Sequence, residues 1–107
     1  MQDLPNLSYI KELSGDDDAF EKRFIGILKE EFPEEMEAYV NLIEEEVDFN
    51  AAAEMVHKLK HKFNILSMEH AYELAICYEE DLLAGTSESH HRFMKTLEQV
   101  KNYLKTI

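Results

Sequence analysis

The sequence predicts an all-α protein, an antiparallel four-helix bundle with a short additional N-terminal helix. Apolar residues recur at intervals of three and four positions through most of the 107-residue chain. Only three Gly and two Pro are present, too few for the turns of a strand-rich fold. The stretches between periodic segments are short, which favours neighbouring antiparallel helices. The length suits a single domain, residues 1–107, with one hydrophobic core.

The first two predicted helices lie in the N-terminal half. We expect the first, with apolar positions Leu7, Ile10 and Leu13, to end at Gly15 in the left-handed region and to cover the bundle as a lid. Asp16 to Asp18 should cap the second helix, because carboxylates accept hydrogen bonds from its free amides. Its apolar stripe comprises Phe20, Phe24, Ile27, Leu28, Met36, Val40, Ile43 and Val47.

Pro33 lies in the middle of that second stripe. Because the ring removes one hydrogen bond and clashes with the preceding turn, we predict one long helix kinked at this point. The alternative is a new helix with Pro33 in its first turn, followed by Glu34 and Glu35.

Three further helices are predicted. Asp48 should cap the third, Gly85 should end the fourth, and the fifth should begin near Thr86 or Ser87. The apolar positions of the third helix are Phe49, Ala52, Val56, Leu59, Phe63 and Leu66, and Ser67 interrupts the pattern. Those of the fourth are Met68, Ala71, Ala75, Tyr78 and Leu82. Those of the fifth are Phe93, Leu97, Val100, Leu104 and Ile107.

Charge and composition narrow the classes of partner. A formal net charge of -12 argues against nucleic acid and anionic membranes as partners, since both require clustered cationic groups. No apolar run approaches the roughly 20 residues that span a bilayer, and the N-terminus lacks the layout of a signal peptide. The single cysteine, Cys77, lies in an apolar helical pattern, which predicts a buried, unreactive thiol. We expect a cytoplasmic protein whose partners are proteins or small molecules.

The segment from Val56 to Asn64 holds the candidate chemistry. On a helical projection Leu59 and Phe63 fall about 160° and 120° from His57, whereas Lys60, His61 and Asn64 fall within about 60° of it. We therefore expect His57 to point away from the core, within a polar face.

Lysines at 58, 60 and 62 form a local cationic cluster, whereas positions 30 to 57 contain ten acids and no Lys or Arg. A solvated helix surface is the simplest interpretation of the charges alone. The histidine at the centre of the cluster favours a second interpretation. A neutral imidazole is a nucleophile at cellular pH, and neighbouring ammonium groups would stabilise an incoming phosphoryl group.

The motif Val56-His57-Lys58-Leu59-Lys60 resembles the active-site motif of histidine phosphotransfer domains, the HPt family. In that family an alanine-like residue precedes the phosphorylated His, and Leu and Lys follow two and three positions later. The segments 7–15, 30–34 and 48–49 also resemble the family, so the similarity covers nearly the whole chain. The resemblance implies a five-helix fold of bundle type.

Carried over by residue, the resemblance makes His57 the phosphoryl acceptor and Lys60 the cation that steadies the phosphate. Glu79 matches a position that accepts a hydrogen bond from the other ring nitrogen, which would fix the tautomer and leave Nε2 free to attack. We expect Lys58, His61 and Asn64 to contact the partner. The family usually has Gly at the position of His61, and Ser67 stands at a second glycine-like position. An imidazole at position 61 would crowd an incoming partner or donate a hydrogen bond to it.

The function implied is that of a phosphorelay intermediate. It would accept a phosphoryl group from a receiver-domain aspartyl phosphate, including that of a hybrid sensor kinase, and pass it to another receiver. We expect a monomer without a cofactor, an ATP site or autokinase activity, with Mg²⁺ supplied by the receiver. The initiating Met1 and the complete fifth helix favour an independent chain over an excised domain.

Two alternatives stay open. A degenerate relative would dock to receivers without transferring phosphate. A metal-binding bundle is suggested by His57 and His61, four positions apart, and by further histidines at 70, 90 and 91. The spacing of Glu54 and His57 and of Glu88 and His91 also imitates di-iron pairs. Such ligands must face the bundle interior, and we expect His57 to face outward, so we predict no metal site.

Overall fold

The computed structural model describes residues 4–107, a range that contains five α-helices and no strand. The helices are α1 (Ser8–Ser14), α2 (Asp18–Glu44), α3 (Phe49–Ile65), α4 (Glu69–Leu83) and α5 (His90–Leu104). The all-α prediction is confirmed. Residues 1–3 lie outside the described residues. They include Met1, on which the expectation of an independent chain partly rests, and the start of the segment that was compared with a signal peptide.

The start of α2 and the end of α1 follow the predicted local chemistry. Gly15 has a φ of 58°, a backbone conformation that glycine adopts without a Cβ clash. Asp17 accepts a hydrogen bond from the Phe20 amide at 3.0 Å and so caps α2. Ile10 is fully buried and α1 packs on α2, but Leu13 is 51% exposed. The predicted core contact of Leu13 is therefore wrong.

Helix α2 continues through Pro33, so the prediction of one helix is confirmed and the alternative of two helices is wrong. Its buried face consists of Leu28, Phe32, Met36, Tyr39 and Ile43. The predicted stripe was too wide, because Ile27 lies at its edge and is exposed. Val47 lies beyond the end of the helix, at a φ of 52°, and is also exposed.

The three C-terminal helices bury the predicted apolar positions almost completely. Asp48 caps α3 by accepting a hydrogen bond from the Ala51 amide at 3.1 Å. Helix α5 begins at His90, a few residues later than predicted, because Thr86 and Ser87 accept hydrogen bonds within a separate turn. Cys77 is exposed, so the prediction of a buried thiol is wrong. It lies just beside the buried stripe of α4.

The core lies among α2, α3, α4 and α5. Helix α3 packs against α2 and α4, and α5 packs against the same two helices. At the centre, Phe93 contacts the rings of Tyr39 and Tyr78 at 5.1 Å between centroids. The Tyr39 hydroxyl lies 2.5 Å from the Tyr78 hydroxyl and 2.7 Å from His90 Nδ1. This hydrogen-bond chain, buried at the two tyrosines and part-buried at His90, therefore joins α2, α4 and α5.

Within residues 4–107, each helix is too short or too polar to cross a membrane.

Candidate functional site

His57 lies near the middle of α3 and exposes 54% of its side chain. Its neighbours Val56 and Leu59 are fully buried. Because these apolar residues hold one face of the helix against the core, the backbone beneath the imidazole is fixed. The described structure thus presents the ring to solvent from a rigid support.

Glu79 on α4 holds the orientation of the His57 ring. Its Oε1 lies 2.7 Å from His57 Nδ1. An ionised carboxylate only accepts hydrogen bonds, so Nδ1 must carry the proton and donate it to Glu79. In the neutral imidazole the lone pair then lies on Nε2. The structure brings together the two residues that the resemblance paired, and the catalytic roles of both stay predictions.

Lys60 lies in the seam between α3 and α4 rather than on the exposed polar face that the helical projection gave it. The residue is only 8% exposed, because it lies where α3 packs against α4. Its Nζ lies 3.2 Å from Glu79 Oε2 and 5.8 Å from the centroid of the Tyr72 ring. Glu79 therefore bridges His57 and Lys60. In this geometry Lys60 positions the carboxylate, and direct contact with phosphate stays a prediction.

Lys58, His61 and Asn64, the predicted partner contacts, are all exposed. The ring of His61 lies 5.0 Å from the ring of His57, centroid to centroid, at an interplanar angle of 87°. The position that the family usually leaves open is thus filled by an imidazole beside the candidate acceptor.

Lys62 does not belong to the surroundings of His57. Its Nζ lies 2.9 Å from Glu31 and 3.4 Å from Glu35, both on α2. The projection places residue 62 about 140° from His57, on the side that meets α2. The cationic cluster expected around the histidine is therefore reduced to Lys58 and Lys60.

A shallow groove beside His57 contains residues that the sequence analysis missed. It is lined by Asn50, Ala53, Glu54, His57, Lys58, Glu79 and Leu83. Leu83 is 64% exposed, and Ile76 on the same helix is 37% exposed. Their spacing of three and four positions from Glu79 places both on its side of α4. In the sequence, the signal for this surface was the presence of apolar residues on α4 outside its buried stripe.

In the part of the chain that the structure describes, no group of three or more His, Cys, Asp or Glu residues is arranged to hold a metal ion. The sequence pairs that imitate di-iron ligands do not converge on such a group. His57 and His91 are both exposed.

No family model, curated protein or solved structure matches the chain.

Proposed function

We propose that the chain is a histidine phosphotransfer domain that accepts a phosphoryl group on His57 from a receiver aspartyl phosphate and passes it to another receiver. The observation that carries this proposal is the exposed imidazole whose Nδ1 is hydrogen-bonded to Glu79 at 2.7 Å. A ring fixed in this way directs its nucleophilic nitrogen toward solvent, where another protein can reach it. A histidine with only a structural role would need neither exposure to solvent nor the ion pair between Glu79 and the buried Lys60.

The proposed reaction is an in-line transfer between two proteins. Nε2 of neutral His57 attacks phosphorus, the N–P bond forms, and the P–O bond to the receiver aspartate breaks, which releases its carboxylate. The phosphorylated imidazole becomes cationic while it keeps the proton on Nδ1. Glu79 stabilises that charge across the 2.7 Å hydrogen bond, and Lys60 holds the carboxylate in place. Mg²⁺ from the acidic pocket of the receiver balances the charge on the phosphoryl oxygens.

The antiparallel four-helix arrangement is part of this proposal. Contacts run from α2 to α3, from α3 to α4, from α4 to α5 and back from α5 to α2, which is the order expected around a bundle. The connecting segments 45–48, 66–68 and 84–89 are short, which supports antiparallel packing of successive helices. Helix α1 would then be the additional element.

The receiver would dock over the exposed surface around His57. Lys58, His61 and Asn64 supply its polar contacts, and Leu83 and Ile76 supply apolar ones beside Glu79. An interface of this kind combines an apolar centre with a polar rim. We propose that the chain acts as a monomer in the cytoplasm, where receiver domains operate.

A transfer assay tests the proposal. The chain is incubated with each receiver of the host, phosphorylated beforehand with acetyl phosphate, and the modified residue is identified by mass spectrometry. We expect an acid-labile phosphoryl group on His57 that is absent from His57→Gln and retained in His91→Gln, a control at an exposed histidine on α5. Label that persists in His57→Gln, or its absence with every receiver, would contradict the proposal.

A docking module without transfer is the second candidate. The observation that favours it is the His61 ring, 5.0 Å from His57, at a position where the resemblance implies glycine. Binding of a receiver, measured by calorimetry, together with the absence of label would support this alternative.

A further inference from the structure

We propose that His57 and His61 together bind a divalent transition-metal ion of the Zn²⁺ type and that the bound ion prevents His57 from accepting a phosphoryl group. The two residues lie one helical turn apart on the exposed side of α3, so the ion would bind at the surface and not in the bundle interior, where the sequence predicted no metal site. The second half of this inference rests on the proposed function, whereas metal binding does not.

The separation of the two rings suits a shared ion. Zinc binds an imidazole nitrogen at about 2.0–2.1 Å, and this nitrogen lies about 1.2 Å from the ring centroid, so the ion lies about 3.2 Å from each centroid. Two such rings at a tetrahedral angle are then separated by about 5.2 Å. The observed distance between the centroids of His57 and His61 is 5.0 Å. A shared ion requires the His61 ring to turn so that one of its nitrogens faces His57 Nε2, while His57 keeps its hydrogen bond to Glu79.

Glu79 prepares His57 as a ligand in the same way that it prepares the nucleophile. A metal-binding histidine commonly donates its other N–H to a carboxylate, which orients the ring and strengthens the ligand. His57 Nδ1 has this partner at 2.7 Å, so Nε2 is the coordinating atom. Solvent exposure of both imidazoles lets an ion enter and lets water complete its coordination.

The ligand set determines which ion binds and how firmly. Imidazole nitrogens favour Zn²⁺, Cu²⁺ and Ni²⁺, whereas Mg²⁺ prefers oxygen ligands. The Mg²⁺ that assists transfer would therefore not compete for this site. The described residues provide no third ligand of a closed site, so the ion exchanges with solution rather than residing permanently.

Some charged groups near His57 and His61 oppose the binding of a cation and others favour it. The exposed ammonium group of Lys58 opposes a cation, and Lys60 is held by Glu79 at 3.2 Å. The carboxylates of Glu79 and Glu54 border the same groove and offset these lysines. The net charge of -12 also raises the local concentration of cations.

The lone pair on His57 Nε2 can bond to phosphorus or to a metal ion, but not to both at once. The Nε2 electrons that would attack phosphorus are those that would coordinate the ion, so a metal-bound His57 is not a nucleophile. Because coupling between ligands is reciprocal, phosphorylated His57 should also lose its affinity for the metal. Free transition-metal ions would thereby regulate the relay.

The first experiment measures binding of Zn²⁺ alone to the whole chain by isothermal titration calorimetry in a buffer that does not chelate. We expect one ion per chain, with affinity lowered at least about tenfold in His61→Gln and about tenfold in Glu79→Gln, the range known for loss of an orienting carboxylate. His91→Gln is the matched control, since it removes an exposed histidine from α5, and its affinity should equal that of the native chain. Equal affinity of His61→Gln and the native chain would overturn the proposal.

The second experiment measures the nucleophilicity of His57 without any receiver. The rate at which diethyl pyrocarbonate modifies His57 is followed by mass spectrometry with and without Zn²⁺. We expect Zn²⁺ to slow this modification in the native chain, EDTA to restore it, and the ion to have little effect in His61→Gln. An unchanged rate in the native chain would overturn the inference. Protection without phosphoryl transfer would leave the metal site standing and refute only the proposed function.

Discussion

At the scale of single residues, the site depends on a carboxylate with two partners. Oε1 of Glu79 accepts from His57 and Oε2 accepts from Lys60, so both oxygens are engaged on the α3 side. Loss of the negative charge would leave the Lys60 ammonium group in the seam without its counter-ion. In the proposed function it would also remove the group that stabilises the cationic phosphoimidazole.

Glu79→Gln tests this arrangement. We expect the rate of phosphoryl transfer to His57 to fall about tenfold, because the neutral amide orients the ring less firmly and no longer compensates its charge. Glu80→Gln, an exposed neighbour on α4, is the control and should transfer at the native rate. Transfer kinetics with a phosphorylated receiver provide the measurement, and circular dichroism confirms the helical content. An unchanged rate in Glu79→Gln would rule out the positioning role.

His61→Gly tests whether the imidazole at this position obstructs transfer. If the geometry implied by the resemblance applies, the variant transfers at least as fast as the native chain. Glycine in the helix interior lowers the free energy of unfolding by about 1 kcal/mol. His61→Ala removes the same ring at a smaller backbone cost and is therefore the matched variant. A large loss of transfer rate in both would show that His61 has become part of the reaction.

The sequence predicted individual residues best where the cause is local. Asp48 and Gly15 were predicted from capping and from backbone freedom, which depend on adjacent residues alone. Lys60, Lys62 and Cys77 were misplaced because their surroundings depend on which helix lies beside them. A projection of α3 alone shows that residues 60 and 62 are polar, but not that α4 and α2 cover them. Glu79 was reached only through the resemblance.

At the scale of the elements, α2 is the helix whose local sequence most opposes a continuous helix, because it contains Pro33. It runs from Asp18 to Glu44 with Pro33 in its interior, where the ring removes one backbone hydrogen bond. The apolar face of α2 continues on both sides of the proline, through Phe32 and Met36. Burial of that face therefore outweighs the local cost, and the helix is not divided.

Pro33→Ala should raise the free energy of unfolding by about 1–3 kcal/mol, because the new amide can donate to the Lys29 carbonyl and the clash disappears. Pro33 is exposed, so the substitution opens no cavity. The measurement is urea unfolding followed by circular dichroism, with the neighbouring exposed Glu34→Ala as the control. A lower stability of Pro33→Ala would mean that the proline fixes a shape of α2 on which packing depends.

At the scale of the whole molecule, the central feature is the buried hydroxyl pair that joins α2 to α4 and, through His90, to α5. The apolar periodicity predicts Tyr78 as a core position but assigns no role to His90. Nothing in the spacing of residues 39, 78 and 90 indicates that they meet, because the contact arises from the packing of three separate helices. The all-helical class was predictable, and this polar centre was not.

The buried pair of Tyr39 and Tyr78 predicts that the free energy of unfolding falls at alkaline pH. Burial, followed by the contacts with Tyr78 and the charge of Glu44, raises the pKa of Tyr39 far above its ordinary value. Burial likewise raises the pKa of Tyr78. The folded state therefore favours the protonated hydroxyls. The contribution of these hydroxyls to the free energy of unfolding is complete below about pH 10. Above that pH the free energy of unfolding falls by up to about 1.4 kcal/mol per pH unit for each tyrosine.

The measurement is the free energy of unfolding in urea between about pH 9 and pH 11. Tyr39→Phe should flatten the decline and should also cost about 1–3 kcal/mol at neutral pH, because the Tyr78 hydroxyl loses its partner. Tyr9→Phe is the control, since Tyr9 is 40% exposed on α1. An identical decline in native chain and Tyr39→Phe would contradict this account.

The exposed thiol of Cys77 has a practical consequence. Because it is the only cysteine in the sequence, a maleimide dye or a nitroxide can be attached at one defined point without mutagenesis. Residue 77 lies on α4, the helix that carries Glu79, so the label reports from the same helix as the carboxylate that binds His57. Its emission or its spectral line width would follow the binding and release of the proposed receiver in real time.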